Sequence, residues 1–195
     1  MRQIEGQPPC GGVIVETEAY DGAADLASHA RFGRTARTAS MFGPGGHAYV
    51  FLVYGMHSCL NVVSGPDGGP GAVLVRALAP RFGSELMRQL RGRPHDAALR
   101  LAAGPGRLGQ ALAIDRTLDG VDLTEPRGPL WLAAPPPEVA AALRHDGVAV
   151  GPRIGVAYAG PPWAQMPWRF GWRDHAALSR PFAAAAGRPP RGGDG

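Results

Sequence analysis

The sequence predicts a single-domain mixed α/β (α+β) fold with flanking helices. Its β-branched and aromatic runs, residues 13–20, 47–54, 58–63 and 72–78, are short, and glycine-rich turns follow several of them, as in antiparallel hairpins. Helical patterning is limited to brief stretches, chiefly over 84–91, 107–114 and 138–144. A chain of 195 residues that is 45% hydrophobic and 18% charged suits one domain with a real core.

Residues 1–12 are polar and rich in glycine and proline, without periodicity, and read as a short leader that is a loop or frayed end. The run Val13-Ile-Val-Glu-Thr-Glu-Ala-Tyr20 follows at once. A period of two places Glu16, Glu18 and Tyr20 on one face and Val13, Val15, Thr17 and Ala19 on the other. Its apolar start should enter the core and its polar finish emerge at a cleft, where carboxylates suit acid–base chemistry. The plain alternative is an edge strand whose wet face carries Glu16 and Glu18. Residues 21–46 pattern weakly: Asp21 suits the cap of a short helix over 23–30, residues 31–40 are basic, and Met41-Phe-Gly-Pro-Gly-Gly46 is rich in turn residues.

His47-Ala-Tyr-Val-Phe-Leu-Val-Tyr54 is the strongest strand, with His47, Tyr49, Phe51 and Val53 on one side. Gly55 ends it, and Ser58-Cys-Leu-Asn-Val-Val63 returns as the second arm of a hairpin, carrying Asn61 in an apolar setting. The next strand, residues 72–78, carries Arg76, whose guanidinium must be paired because burying it alone is prohibitive. After the helical stretches, residues 148–157 read as one strand or two short ones, and Trp163, Trp168, Phe170 and Trp172 gather aromatic bulk. The domain is expected over residues 13–180, with a disordered tail over 181–195.

Several classes are excluded. No stretch has the apolar length that spans a bilayer, and the first ten residues lack the apolar core of a signal peptide, so a cytoplasmic location without membrane partners is expected. Two cysteines, Cys10 and Cys59, make no disulfide scaffold, and the six histidines are scattered, so neither metal nor cofactor is expected. Gly104-Pro-Gly-Arg-Leu-Gly109 mimics a dinucleotide fingerprint, but no strand precedes it. All twenty basic residues are arginine, clustered at 31–37 and 76–107, which suits a polyanion although such clusters are also ordinary solvated surface.

What remains is a carboxylate pair at a strand end, the rings of Tyr20, Tyr49, Phe51 and Tyr54, and Asn61 and Arg76 within apolar strands. Each ring alone suits core packing. Together they have the parts that handling an extruded base requires: planar faces, a carboxylate for a water, and a wedge.

The motifs Val15-Glu-Thr-Glu-Ala-Tyr20, His29, Met41-Phe42, Tyr49-Val-Phe-Leu-Val-Tyr-Gly-Met56 and Cys59-Leu-Asn61 resemble the alkyladenine (3-methyladenine) DNA glycosylase family. So do Val73-Leu-Val-Arg-Ala-Leu78, Gly104-Pro-Gly-Arg-Leu-Gly-Gln-Ala-Leu112, Arg153-Ile-Gly155 and Pro167-Trp-Arg-Phe170, in family order across residues 13–172. The resemblance implies a curved antiparallel sheet in one α/β domain. It also implies a monomer that acts on damaged double-stranded DNA and hydrolyses the glycosidic bond of purines such as 3-methyladenine, 7-methylguanine or hypoxanthine.

By that resemblance Glu18 is the general base, and Arg76 and the Ile154 carbonyl help hold the attacking water. Tyr20 and Phe51 would stack on the two faces of the base, with His29 at its edge. Asn61 would crowd the amine of normal guanine, and Tyr54, with Met56, would intercalate. Glu16 has no role in this scheme. Phe51 stands where many relatives have tyrosine, and the family's usual helix and strand before the first run have no counterpart in residues 1–12. A catalytically silent DNA-binding module and a small-molecule hydrolase are the competing classes. The first would tolerate loss of Glu18, and the second gives no reason for a wedge.

Overall fold

A computed structural model of the chain describes residues 1–53 and 55–183. Its strands are β1 (Gly11–Asp21), β2 (Ala48–Val53), β3 (His57–Val63), β4 (Gly71–Phe82), β5 (Val148–Gly151) and β6 (Arg169–Trp172). They form one antiparallel sheet in the order β2-β3-β4-β1-β6-β5. The helices α1 (Ser84–Arg91), α2 (Pro105–Ala111) and α3 (Pro137–Asp146) follow the first four strands in the chain.

β1 is central, flanked by β4 and β6, so it is not the edge strand that would have left its carboxylates wet. Its ladder with β4 jumps from Ile14↔Leu78 to Glu16↔Ala77 and then to Thr17↔Val75, so Val15 and Arg76 have no register partner across this pair. Such bulges bend a strand and re-aim side chains, and they recur beside active sites. Here they lie beside Glu16, Glu18 and Arg76.

The two faces of the β2–β3 hairpin differ. Val50 and Leu60 join the main core with Leu86, Met87, Leu101 and Leu108, while Tyr49 lies in a second cluster with Ala30 and Met41, against which Phe51 packs. α2 seats closely on β3: a Cβ on Gly109 would stand 2.1 Å from the Ser58 carbonyl oxygen, so only glycine fits. The glycines that mimic a dinucleotide fingerprint thus include one that serves helix–sheet packing.

Two expectations are corrected. The leader is not frayed: Arg2 bridges Cys10 and Leu130, Cys10 is fully buried, and the Met1 amine donates to the Trp131 carbonyl at 2.7 Å. No α-helix forms over 23–30. Asp25, rather than Asp21, organises this stretch by accepting from the Asp21 and Ala27 amides, and only a short 3-10 turn follows over His29–Phe32. Alanine favours helix, but so short a helix is marginal alone, and Asp25 is instead buried against Arg153. Tyr54 and residues 184–195, most of the expected tail, lie outside the described residues.

Candidate active site

Alternate residues along β2, β3 and β4 wall one side of a cavity of about 500 Å³, within the usual range for small-molecule sites. Tyr20, His29, Phe51, Asn61, Arg76 and Ile154 all line it. Of the expected site residues in the described chain, only Glu18 and Met56 are not in the wall. Met56 sits in the β2–β3 turn and is 73% exposed.

Glu18 has no exposed surface, yet three of the lining residues hold it. Its Oε1 accepts from the Ile154 amide at 2.7 Å and lies 3.2 Å from Arg76 Nη1. Its Oε2 accepts from the Tyr20 hydroxyl at 2.9 Å. A carboxylate offers about four acceptor directions, so these three donors leave about one for a further proton donor. Ile154 touches Glu18 through its N–H, a contact the expected carbonyl role did not include. Tyr20 likewise does more than present a ring. Burial, then the Glu18 charge and the hydrogen bond to it, push its phenol pKa up, so it stays a donor.

Tyr20 is backed by a buried ion pair. Arg153 and Asp25 are buried, with Nη2–Oδ1 at 2.9 Å, and the guanidinium also donates to the Ala19 and Trp163 carbonyls. Its carbon lies 4.7 Å from the Tyr20 ring centroid and 4.9 Å from that of Trp168. This arrangement fixes the ring and, through the next residue, the Ile154 amide.

The rings nearer β2 differ from the expected layout. His29 is not simply at an edge: its ring lies on Phe51 with centroids 3.8 Å apart and planes tilted by 35°. His29 Nδ1 is 3.0 Å from the Tyr49 hydroxyl, whose own pKa is pushed up by burial and then by Asp119. The Phe51 face is therefore covered by the imidazole. Asn61 turns its amide to the Tyr49 carbonyl at 3.0 Å, which leaves Oδ1 for a ligand. Cys59, also in the wall, has its thiol pKa pushed up to about 11, mainly by burial, and is a poor nucleophile at neutral pH.

Burial, then Arg31 and Arg37, lower the His29 pKa below its ordinary value, so the native ring is held neutral. The unfolded chain takes up that proton near pH ~6.5, which makes this contribution complete above that value and lost as pH falls from it towards the native pKa. Urea midpoints should therefore fall between about pH 7.5 and about pH 5.5 by more in the parent than in His29→Gln. Equal falls would contradict this assignment.

On the other side of Arg76, Pro105 and Ile154, which border both spaces, lies a basin of about 660 Å³. It carries Arg91, Arg93, Arg100, Arg107 and Arg180 against a single acid, Asp96. Sequence reading missed Asp25, Arg153, Arg169 and Ser179 as site supports. The motifs Arg153-Ile-Gly155 and Pro167-Trp-Arg-Phe170 held the signal for two of them, whereas Asp25 and Ser179 had none.

A ring-lined cavity, a buried carboxylate–arginine pair and an adjoining basic basin define a site for a flat group attached to a polyanion. The sequence profile of the methylpurine-DNA glycosylase (MPG) family matches residues 1–176. A candidate 3-methyladenine DNA glycosylase of Anaeromyxobacter dehalogenans (strain 2CP-C) is 49% identical over 169 residues, covering 86% of this chain and 70% of that protein. Proteins of the same description from Rhizobium meliloti and Streptomyces avermitilis are 46% and 45% identical, covering 88% and 91% of this chain and 83% and 79% of their own length. The chain belongs to the methylpurine-DNA glycosylase family, and with it to the DNA glycosylases of base-excision repair.

Proposed function

We propose that the protein is a monofunctional glycosylase that extrudes an alkylated or deaminated purine from duplex DNA and hydrolyses its glycosidic bond. The 3-methyladenine, 7-methylguanine and hypoxanthine class is the substrate. One observation carries the reading: Glu18, fully buried, sits behind the ring-lined cavity and is held by three residues of its wall, Tyr20, Arg76 and Ile154.

The extruded purine lies between Tyr20 and the His29–Phe51 stack, with Asn61 against its edge. A water takes the remaining acceptor direction of Glu18 and attacks C1′. Its proton passes to Glu18, and the C1′–N bond breaks with its electron pair leaving on the base. Arg76 and Ile154 hold the carboxylate in place, and the Ile154 carbonyl helps seat the water. Exposed Met56, together with Tyr54, fills the vacated stack, and the arginine basin takes backbone phosphates. The enzyme works as a cytoplasmic monomer on damaged double-stranded DNA, and this water route requires no cofactor.

Cleavage of the backbone as well would require an amine that forms a Schiff base at C1′. The chain has no lysine. Borohydride added during turnover should trap no protein–DNA adduct, and the phosphodiester chain should stay uncut until alkali is added. A borohydride-dependent adduct forming in step with base release would contradict the water mechanism.

A further inference from the structure

Glu16 is the carboxylate with no part in the chemistry above, yet it accepts four hydrogen bonds, as many as the structural acid Asp25. It is 1% exposed on the central strand. Its Oε1 accepts from Arg76 Nε at 3.0 Å, Arg169 Nε at 2.9 Å and Ser179 Oγ at 2.8 Å, and its Oε2 accepts from the Ser179 amide at 2.6 Å. A single arginine would suffice to neutralise it. Two arginines and a serine from three different segments make it a junction.

We propose that Glu16 is a positioning residue that sets Arg76, and through it Glu18, and ties both to the segment after β6. The inference rests on the glycosylase reading of the Glu18 site. Arg76 lies at the β4 bulge, where strand register alone does not fix its side chain. Its guanidinium is instead fixed by three partners: Nε on Glu16, Nη1 on Glu18 at 3.2 Å and Nη2 on Ser179 Oγ at 3.3 Å. With Nε and Nη2 held, the plane cannot turn, and Nη1 is delivered to the general base. Arg169, opposite Glu18 in the β1–β6 register, reaches back to Glu16 and donates to the Arg180 and Pro181 carbonyls. Glu16 thereby joins the segment after β6 to the Arg76–Glu18 pair.

Glutamine is nearly isosteric but presents one acceptor oxygen in place of two, and it lacks the charge. Both arginines bond Glu16 through Oε1 and the Ser179 amide through Oε2, so Glu16→Gln removes the charge that holds the two guanidinium groups and one of the two acceptor oxygens, and the Arg76 anchor is weakened. The experiment is single-turnover excision and lesion-duplex affinity for Glu16→Gln in the parent and in Arg76→Gln. Excision should fall by about 10²-fold with affinity little changed, because a misplacement near 1 Å has costs of this order. In the Arg76→Gln background the same change should cost less than about twofold, because positioning acts through Arg76. Equal losses in both backgrounds, a parallel loss of affinity, or an unchanged rate would overturn the proposal.

A second readout does not depend on activity: the side-chain Nε–H signals of Arg76 and Arg169 in 15N-labelled protein. Arg76 Nε–H should be slowly exchanging in the parent and broadened in Glu16→Gln, and an unaltered signal would overturn the proposal whether or not the parent releases a base. Should Glu16→Gln not fold, Ser179→Ala, which removes the Oγ shared by Glu16 and Arg76, is read in the same way. A parent that releases no base but gives the expected arginine signals would refute the glycosylase reading and leave the junction standing.

Discussion

Glu18→Gln is expected to abolish base excision while leaving lesion binding intact. The amide fills the same volume and can still accept from the Ile154 amide or the Tyr20 hydroxyl, but it cannot take the water's proton. Loss of a general base costs about 10²–10⁴-fold, and the fall should appear wholly in the single-turnover rate. Binding should hold, since Tyr20, His29, Phe51 and Asn61, which line the base cavity, are untouched. A variant excising within about threefold of the parent would mean that Glu18 is not the base, because that lies far below the ~10²-fold minimum for such a role.

Asp25→Ala should have the largest effect on stability. Asp25 and Arg153 have no exposed side-chain surface, and the substitution leaves a guanidinium buried beside Tyr20 without its counter-ion. Breaking such a pair costs about 3–5 kcal/mol, a large fraction of the ~5–15 kcal/mol that holds a domain together. Urea unfolding measures it directly. Where the variant folds, excision should also fall, because Arg153 braces Tyr20 and precedes the amide that holds Glu18. A loss below about 1 kcal/mol would show that water reaches the guanidinium and that the pair is not a structural keystone.

Much of the sheet was legible in the sequence because runs of β-branched and aromatic residues bounded by glycine mark its first four strands, although β1 and β4 extend beyond those runs to 11 and 12 residues. The burial of Arg76 was legible too, from the requirement that a guanidinium within an apolar strand be paired. Which acid it pairs with was not. Arg76 reaches Glu16 from 60 residues away, and Glu18 as well, and the register that allows this depends on two bulges with no sequence signature. Asp25 and Arg153 are 128 residues apart, and Ser179 meets Glu16 across 163, so neither contact leaves a local pattern. That the leader is a tethered loop and not a frayed end was hidden for the same reason: its partners, Pro129 and Trp131, lie on the far side of the sequence. The order of the rings escaped because alternation assigns a strand face, whereas the loop carrying His29 decides what lies on Phe51.

The most direct test is chromatographic detection of the free base released from duplex DNA carrying a single 3-methyladenine, 7-methylguanine or hypoxanthine. The account predicts that at least one of these purines appears in solution in step with abasic sites, on strands that remain uncut. Tight binding of the same duplexes with no base released from any of them would contradict it.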